Sequence, residues 1–236
     1  MTNTIFYSKI NIIKGEQMIT FEEIKNNKEI NTYIEKADLS LKALGYTEHS
    51  FPHVTKVSTD AAYILETLNY DKHTVELVKI AGYLHDIGNL VNRCDHSQSG
   101  AIMAFRILDH LNMDPSDISD IVSAIGNHDE GNGVPVNPIA AALIIADKAD
   151  VRRSRVRNQS ELNFDIHDRV NYSVEKASLK INTEHTIIKL KLDIDTKISP
   201  VMEYFEIFMA RMVLCRKAAE TLGLKFKLII NEQSLM

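Results

Sequence analysis

Cysteine is scarce: Cys94 and Cys215 are the two in 236 residues, with no CxxC spacing. That excludes a disulfide framework and fits a reducing compartment. Basic residues are outnumbered, 27 Lys and Arg against 32 Asp and Glu, for a formal net charge of -5. A chain built for nucleic acid carries the opposite surplus, so no dedicated nucleic-acid surface is expected. Long apolar runs are missing too. The longest, Ile139 to Ala146, falls far short of the ~20 residues a transmembrane helix needs. The first residues show no basic segment followed by an apolar stretch, so neither a signal peptide nor a membrane partner is expected, and the expected location is the cytoplasm. Met18 is a candidate start, which would make residues 1–17 an appendage. What remains is ordinary globular material, 44% hydrophobic and 25% charged. A chain of this length buries roughly 70% of its surface on folding.

From Ile30 to about Arg157 the apolar residues recur at helical spacing. Ile30, Tyr33, Ile34, Ala37, Leu41 and Leu44 form one stripe, stopped by Gly45. Further helices are expected from Pro52 to Asn69, from Thr74 through Leu84, and from a capping-box-like Asp95-x-x-Gln98. Two more open at Asp114-Pro115 and Asn137-Pro138, each an N-cap followed by proline at the first helical position. After Arg157 the period changes to two: Ala177 to Asn182 and Thr186 to Ile194 read as a hairpin turning at Asn182 to His185. A helix opened by Ser199-Pro200 follows, with Met202, Met209 and Met212 expected in the core, and then a strand through Leu224, Phe226, Leu228 and Ile230. The fold class is mainly α. An N-terminal extension (1–29) precedes a helical bundle (30–157) and a small β-β-α-β appendage (158–236).

Within the bundle, His53, His85, His128 and Asp147 each fall on an apolar helical stripe and are expected to point inward. Asp86 lies about 100° further round than His85, with small Gly82 one turn earlier to leave room. One buried histidine is ordinarily a satisfied core residue. Carboxylates among several inward imidazoles are different, because an ionised acid in low dielectric needs a partner or a metal. No lysine or arginine stands one turn away from Asp86 or Asp147 on the same face. Imidazole plus carboxylate is a standard ligand set for first-row divalent ions, so a metal explains the whole set.

The ordered pattern His53, His85-Asp86, Asp147 resembles the H…HD…D signature of the HD-domain metal-dependent phosphohydrolases over residues 45 to 157. "LHDIGN" is similar to the family's HDIGK-type motif, "DHSQSGAIMA" to the H…GA segment after it, "IGNHDEGNGVP" to the histidine motif of the binuclear branches, and "ADKAD" to the last-ligand segment. The resemblance implies His53, His85, Asp86 and Asp147 as ligands of a first metal. His96 and His128 would bind a second or position substrate, with Asp86 bridging. One or two divalent ions are implied, among manganese, iron, magnesium, nickel and cobalt. Asn89 stands where many relatives have lysine, and Gly133-Val134-Pro135 replaces the GYP tripeptide, which disfavours cyclic-dinucleotide cleavage.

The chemistry implied is hydrolysis of a phosphomonoester or phosphoanhydride, nucleotides included, by a metal-activated water. Asp86, His96 and His128 are the catalytic candidates, the histidines as proton carriers. A phosphate substrate also needs cations, and Lys56, Arg93, Lys148 and Arg152 are the candidates. His49, His73, His110, His167 and His185 are expected to be ordinary. Two other classes share these residues: a di-iron oxygenase-like enzyme and a non-catalytic nucleotide or phosphate sensor. The small phosphorylated substrate is the expected partner, and a homodimer is the expected assembly.

Overall fold

A computed structural model describes residues 19–157 and 165–235. The candidate start at Met18 lies outside them. The order is α1 (Phe21–Lys25), α2 (Lys28–Ala43), α3 (Phe51–Thr67), α4 (Lys72–Leu84), a 3-10 turn (Ile87–Leu90), α5 (His96–His110), α6 (Pro115–Gly126) and α7 (Pro138–Ala149). A second 3-10 turn (Arg153–Arg155) leads on to α8 (Ile166–Ser173), β1 (Val174–Ile181), β2 (Ile187–Ile194), α9 (Val201–Thr221), β3 (Lys225–Ile230) and β4 (Gln233–Ser234).

The caps explain most helix starts. Asn27, Asp71, Asp114 and Asn137 each accept a backbone N–H of the first turn, worth about 1 kcal/mol apiece. Asp95 departs from expectation: it sits at φ 54 and its side chain caps nothing, so the Asp95-x-x-Gln98 box does not form. The N-terminal helix α1 docks on the bundle. Ile24 is fully buried, and the Phe21 ring meets Tyr83 edge-on at 5.7 Å.

An all-apolar helix has no face to offer water, so α7 becomes the axis. Ile139 through Ala146 are 0–3% exposed, packed on α3, α4, α6 and α9. Each fully buried Ile or Leu there is worth about 1.5–3 kcal/mol. Gly82 does not make room for Asp86; a Cβ there would sit 2.8 Å from the Ser58 Cα, so its bareness lets α4 close on α3. Gly88 does the same between the 3-10 turn and α5, where a Cβ would fall 2.0 Å from the His96 carbonyl oxygen.

The sheet order is β1-β2-β3-β4. β1 and β2 form the expected antiparallel hairpin, with β1 starting three residues early and carrying an irregularity between Val174 and Lys176. β2 and β3 pair in parallel, α9 supplying the crossover. Ile188, Leu190 and Leu192 of β2 and Phe226, Leu228 and Ile230 of β3 form the buried face, with β3 against α9. Only one methionine of α9 is core: Met212 is 0% exposed, but Met202 is 72% and Met209 46% exposed. The buried stripe runs through Tyr204, Phe208, Met212 and Cys215, and Met202 and Met209 lie roughly 100° away from it. No described helix is long and apolar enough to cross a membrane.

Candidate metal centre

Six side chains from five helices and their ends meet beside α7. His53 stands in the first turn of α3, His85 closes α4, and Asp86 opens the 3-10 turn that follows. His96 begins α5, His128 lies just past α6, and Asp147 is in the last turn of α7. The helix holding His85 therefore ends before Asp86, and the break turns both side chains into one centre. His53 Nε2 is 3.4 Å from Asp86 Oδ2 and 3.5 Å from Asp147 Oδ1. His85 Nε2 is 3.3 and 3.7 Å from the same two atoms. His96 Nε2 is 3.6 Å from Asp86 Oδ1 and 3.1 Å from His128 Nε2. The four imidazoles are almost entirely out of solvent.

Each ring is braced on its far nitrogen. Nδ1 of His85, His96 and His128 donates to the carbonyl oxygens of Gly82, Arg93 and Ile125, three residues back in each case. Nδ1 of His53 donates to Asp150 Oδ2 at 2.8 Å. Those acceptors fix the proton on Nδ1, so four Nε2 lone pairs converge on two carboxylates. Neither side of that meeting can donate. Accordingly His53 Nε2, His85 Nε2 and Asp86 Oδ2 are buried with no hydrogen-bond partner. Orphaned acceptors of this kind cost free energy that a cation removes.

The electrostatics show the same demand. Burial and Arg155 oppose the imidazolium of His53, but the carboxylates of Asp147, Asp150 and Asp86 beside it outweigh them and raise its pKa to about 9. Burial likewise opposes the charge on His85, and Asp86 and Asp147 lift it to about 10. Asp86 and Asp147 stay well below the carboxylate range despite burial, held by His85 and His53 and, for Asp147, by Lys148. Burial keeps His96 and His128 neutral. Without a metal, positive charge is drawn to the space between His53, His85 and the two acids. Three overlapping donor sets have atoms within 4.8 Å of one another: His53-His85-Asp86, His85-His128-Asp147 and Asp86-His96-His128. Donor chemistry, orphaned atoms and spacing all fit one or two divalent ions.

Above this floor opens a cavity of about 420 Å³. Among the substrate candidates, Arg93 and Lys148 line it. Arg93 lies over the Tyr46 ring at 5.7 Å and donates to Asn89 Oδ1; Asn89 Nδ2 in turn donates to Asp86 Oδ1 at 3.0 Å. Lys148 is buried, 2.7 Å from Asp147 Oδ2 and 2.8 Å from Glu130 Oε2. Lys56 and Arg152 do not line the cavity. Lys56 pairs with Asp60 one turn on, and Arg152 is taken up by Asp150, Ser154 and Glu48.

Other residues of the site were not among the candidates. Asp150 stands one turn past Asp147, a spacing visible in "ADKAD", and orients His53. Arg211 comes from α9 and bonds Glu130 Oε1 at 2.7 Å; only the fold brings it in, 81 positions from its partner. His49 also lines the cavity, its Nδ1 on the Thr47 carbonyl and its ring 5.4 Å from His53. Burial keeps it neutral.

The chain is similar to known proteins over this part of its length. The HD-domain family model matches residues 51–154, the span that holds all six converging side chains. An uncharacterized protein of Methanocaldococcus jannaschii, MJ1020, is 25% identical, with 77% of this chain and 78% of that one aligned. The crystal structure of a predicted HD superfamily hydrolase from an uncultured Thermotogales bacterium shares 24% identity over 53% of this chain and 68% of that one, with a TM-score of 0.43. Residues 51–154 of this chain are thus similar to an HD domain, and that span holds the whole cluster.

Proposed function

We propose that the chain is a metal-dependent phosphohydrolase that cleaves a small phosphomonoester or phosphoanhydride, nucleotides included. The observation that carries this reading is the convergence of orphaned Nε2 lone pairs and carboxylates on the floor of a cavity that Arg93, Lys148, Arg155 and Arg211 line together with Asp165 and Asp168. His53, His85, Asp86 and Asp147 would hold one ion, and His96 and His128 a second with Asp86 between them. A divalent ion bound there lowers the pKa of its water toward roughly 7 and offsets charge on a phosphoryl oxygen.

The protein's own groups do the rest. Arg93, Lys148 and Arg211 bind the phosphate from the wall, and Glu130 holds the last two in place through its two oxygens. Asn89 fixes the Asp86 carboxylate by donating to it. His96 and His128, neutral and facing each other through Nε2, carry protons wherever they are not ligands. The buried floor keeps bulk water from the reacting atoms. The cytoplasm and a homodimer belong to the same proposal.

The test is elemental analysis of purified protein, then reloading with manganese, iron, magnesium, nickel or cobalt and assaying phosphate release from nucleotides and sugar phosphates. Release that needs the ion is expected, with KM raised roughly tenfold in Arg211→Gln at unchanged metal content. Stoichiometric ion binding and tight nucleotide binding without any release would overturn hydrolysis in favour of a sensor. An oxidised product would point to oxygenase chemistry.

A further inference from the structure

The sheet has two faces, and the open one is basic. Register places Lys180, Lys189 and Lys227 side by side across β1, β2 and β3. Lys176, Lys191 and Lys225 extend the same face along the strands, with Asp193 opposite Lys176 and exposed Glu175 at the irregularity beside it. All six lysines reach solvent at least in part. Among the described residues, only Lys191 makes an ion pair, with Glu232. Neighbouring strands lie about 4.8 Å apart, so three like charges in a row repel one another.

Two ordinary reasons for surface lysine do not account for this. Edge protection places charge on edge strands, but Lys189 and Lys191 lie on β2, inside the sheet. Solubility is served by net charge of either sign, and the chain is already at -5. The positive charge is gathered against the sign of the whole molecule, on a flat, hydrogen-bonded surface.

We propose that the Lys180–Lys189–Lys227 face of the sheet docks the phosphate backbone of double-stranded nucleic acid without reading its sequence. This departs from the expectation drawn from net charge, and it stands apart from the hydrolase proposal. Lysine meets phosphate as a point charge and carries no base information. The face has no aromatic side chain for stacking unpaired bases, since Phe226 points to the buried side. None of the exposed large apolar residues lies on β1, β2 or β3, so nothing there enters a lipid boundary.

The experiment is fluorescence anisotropy of the full-length protein with a labelled mixed-sequence duplex of about 20 base pairs, at about 50 and about 200 mM salt. Binding at low salt that weakens about 40-fold at high salt is expected for roughly three phosphate contacts. Lys180→Gln/Lys189→Gln/Lys227→Gln should bind about tenfold more weakly or worse, with a salt slope shallower by about three. The matching triple arginine variant should retain binding, and circular dichroism should show both variants folded. No duplex binding by the wild type, or equal binding by the glutamine variant, overturns the proposal. So does binding to phosphatidylserine vesicles in preference to the duplex, which would assign the face to a membrane.

Discussion

Around α7 the bundle buries four imidazoles and the Asp86 carboxylate, with His53 Nε2, His85 Nε2 and Asp86 Oδ2 lacking any hydrogen bond. The C-terminal sheet does the opposite. Its inward face is wholly apolar and its lysines stay in contact with solvent. A sheet that buries only hydrocarbon contributes stability and asks for nothing further. A helix cluster that buries unpaired acceptors lowers stability until something positive arrives. The difference marks which half of the molecule is arranged to receive a positive charge. Between the two halves, α9 brings Phe208 and Arg211 together to the cavity, the guanidinium over the ring at 4.6 Å.

The largest effect expected is on the cluster itself. Asp86→Ala should abolish ion binding in calorimetry and any phosphate release, with helix content intact. Retained stoichiometry would erase the contrast between the halves. Next is Asp150→Asn, which removes the carboxylate bracing His53 Nδ1; ion affinity should fall roughly 10- to 100-fold, as for other partners of metal-bound histidine. A merely structural Asp150 would alter melting temperature and leave affinity alone.

Smaller, and confined to the bundle, is a pH effect on the ion-free protein. His53 and His85 are raised to about 9 and about 10, so their contribution is complete below about 6.5 and lost as pH rises through those values. The depressed acids Asp86 and Asp147 lose theirs only on the acid side, below the ordinary carboxylate range. Melting temperature should therefore drop by several degrees between about pH 7 and pH 10, and bound ion should remove the drop, because ligating Nε2 atoms no longer titrate. A flat profile without ion would contradict the converging lone pairs. The smallest effect is on α9: Met209→Gln should change stability by less than about 0.5 kcal/mol, against about 2–5 kcal/mol for Met212→Ala.

Helical spacing alone located His53 and Asp147, because both lie inside helices whose buried stripe is long enough to read. His85 and His128 were placed inward for a reason only partly right. Each sits at or beyond a helix end, and a carbonyl three residues earlier aims the ring. Local spacing could not find Arg211 or the parallel β2–β3 pairing, since both depend on segments far apart in the chain meeting in space. The methionines of α9 misled because a periodic set reveals a face without saying which face turns inward. Spacing also could not show that Lys56 and Arg152 stand away from the cavity, where Asp60 pairs with one and Glu48 and Asp150 with the other.

The parallel pairing of β2 with β3 has a consequence for synthesis. Chains fold as they emerge, earlier segments first. Each proposed ligand from His53 to Asp147 leaves the ribosome before α9, which packs on α7 and is covered on its other side once β3 has returned to β2. On the proposed reading, a nascent bundle would be able to capture an ion before Arg211 is seated in the wall, so loading with metal would precede competence to hold a substrate.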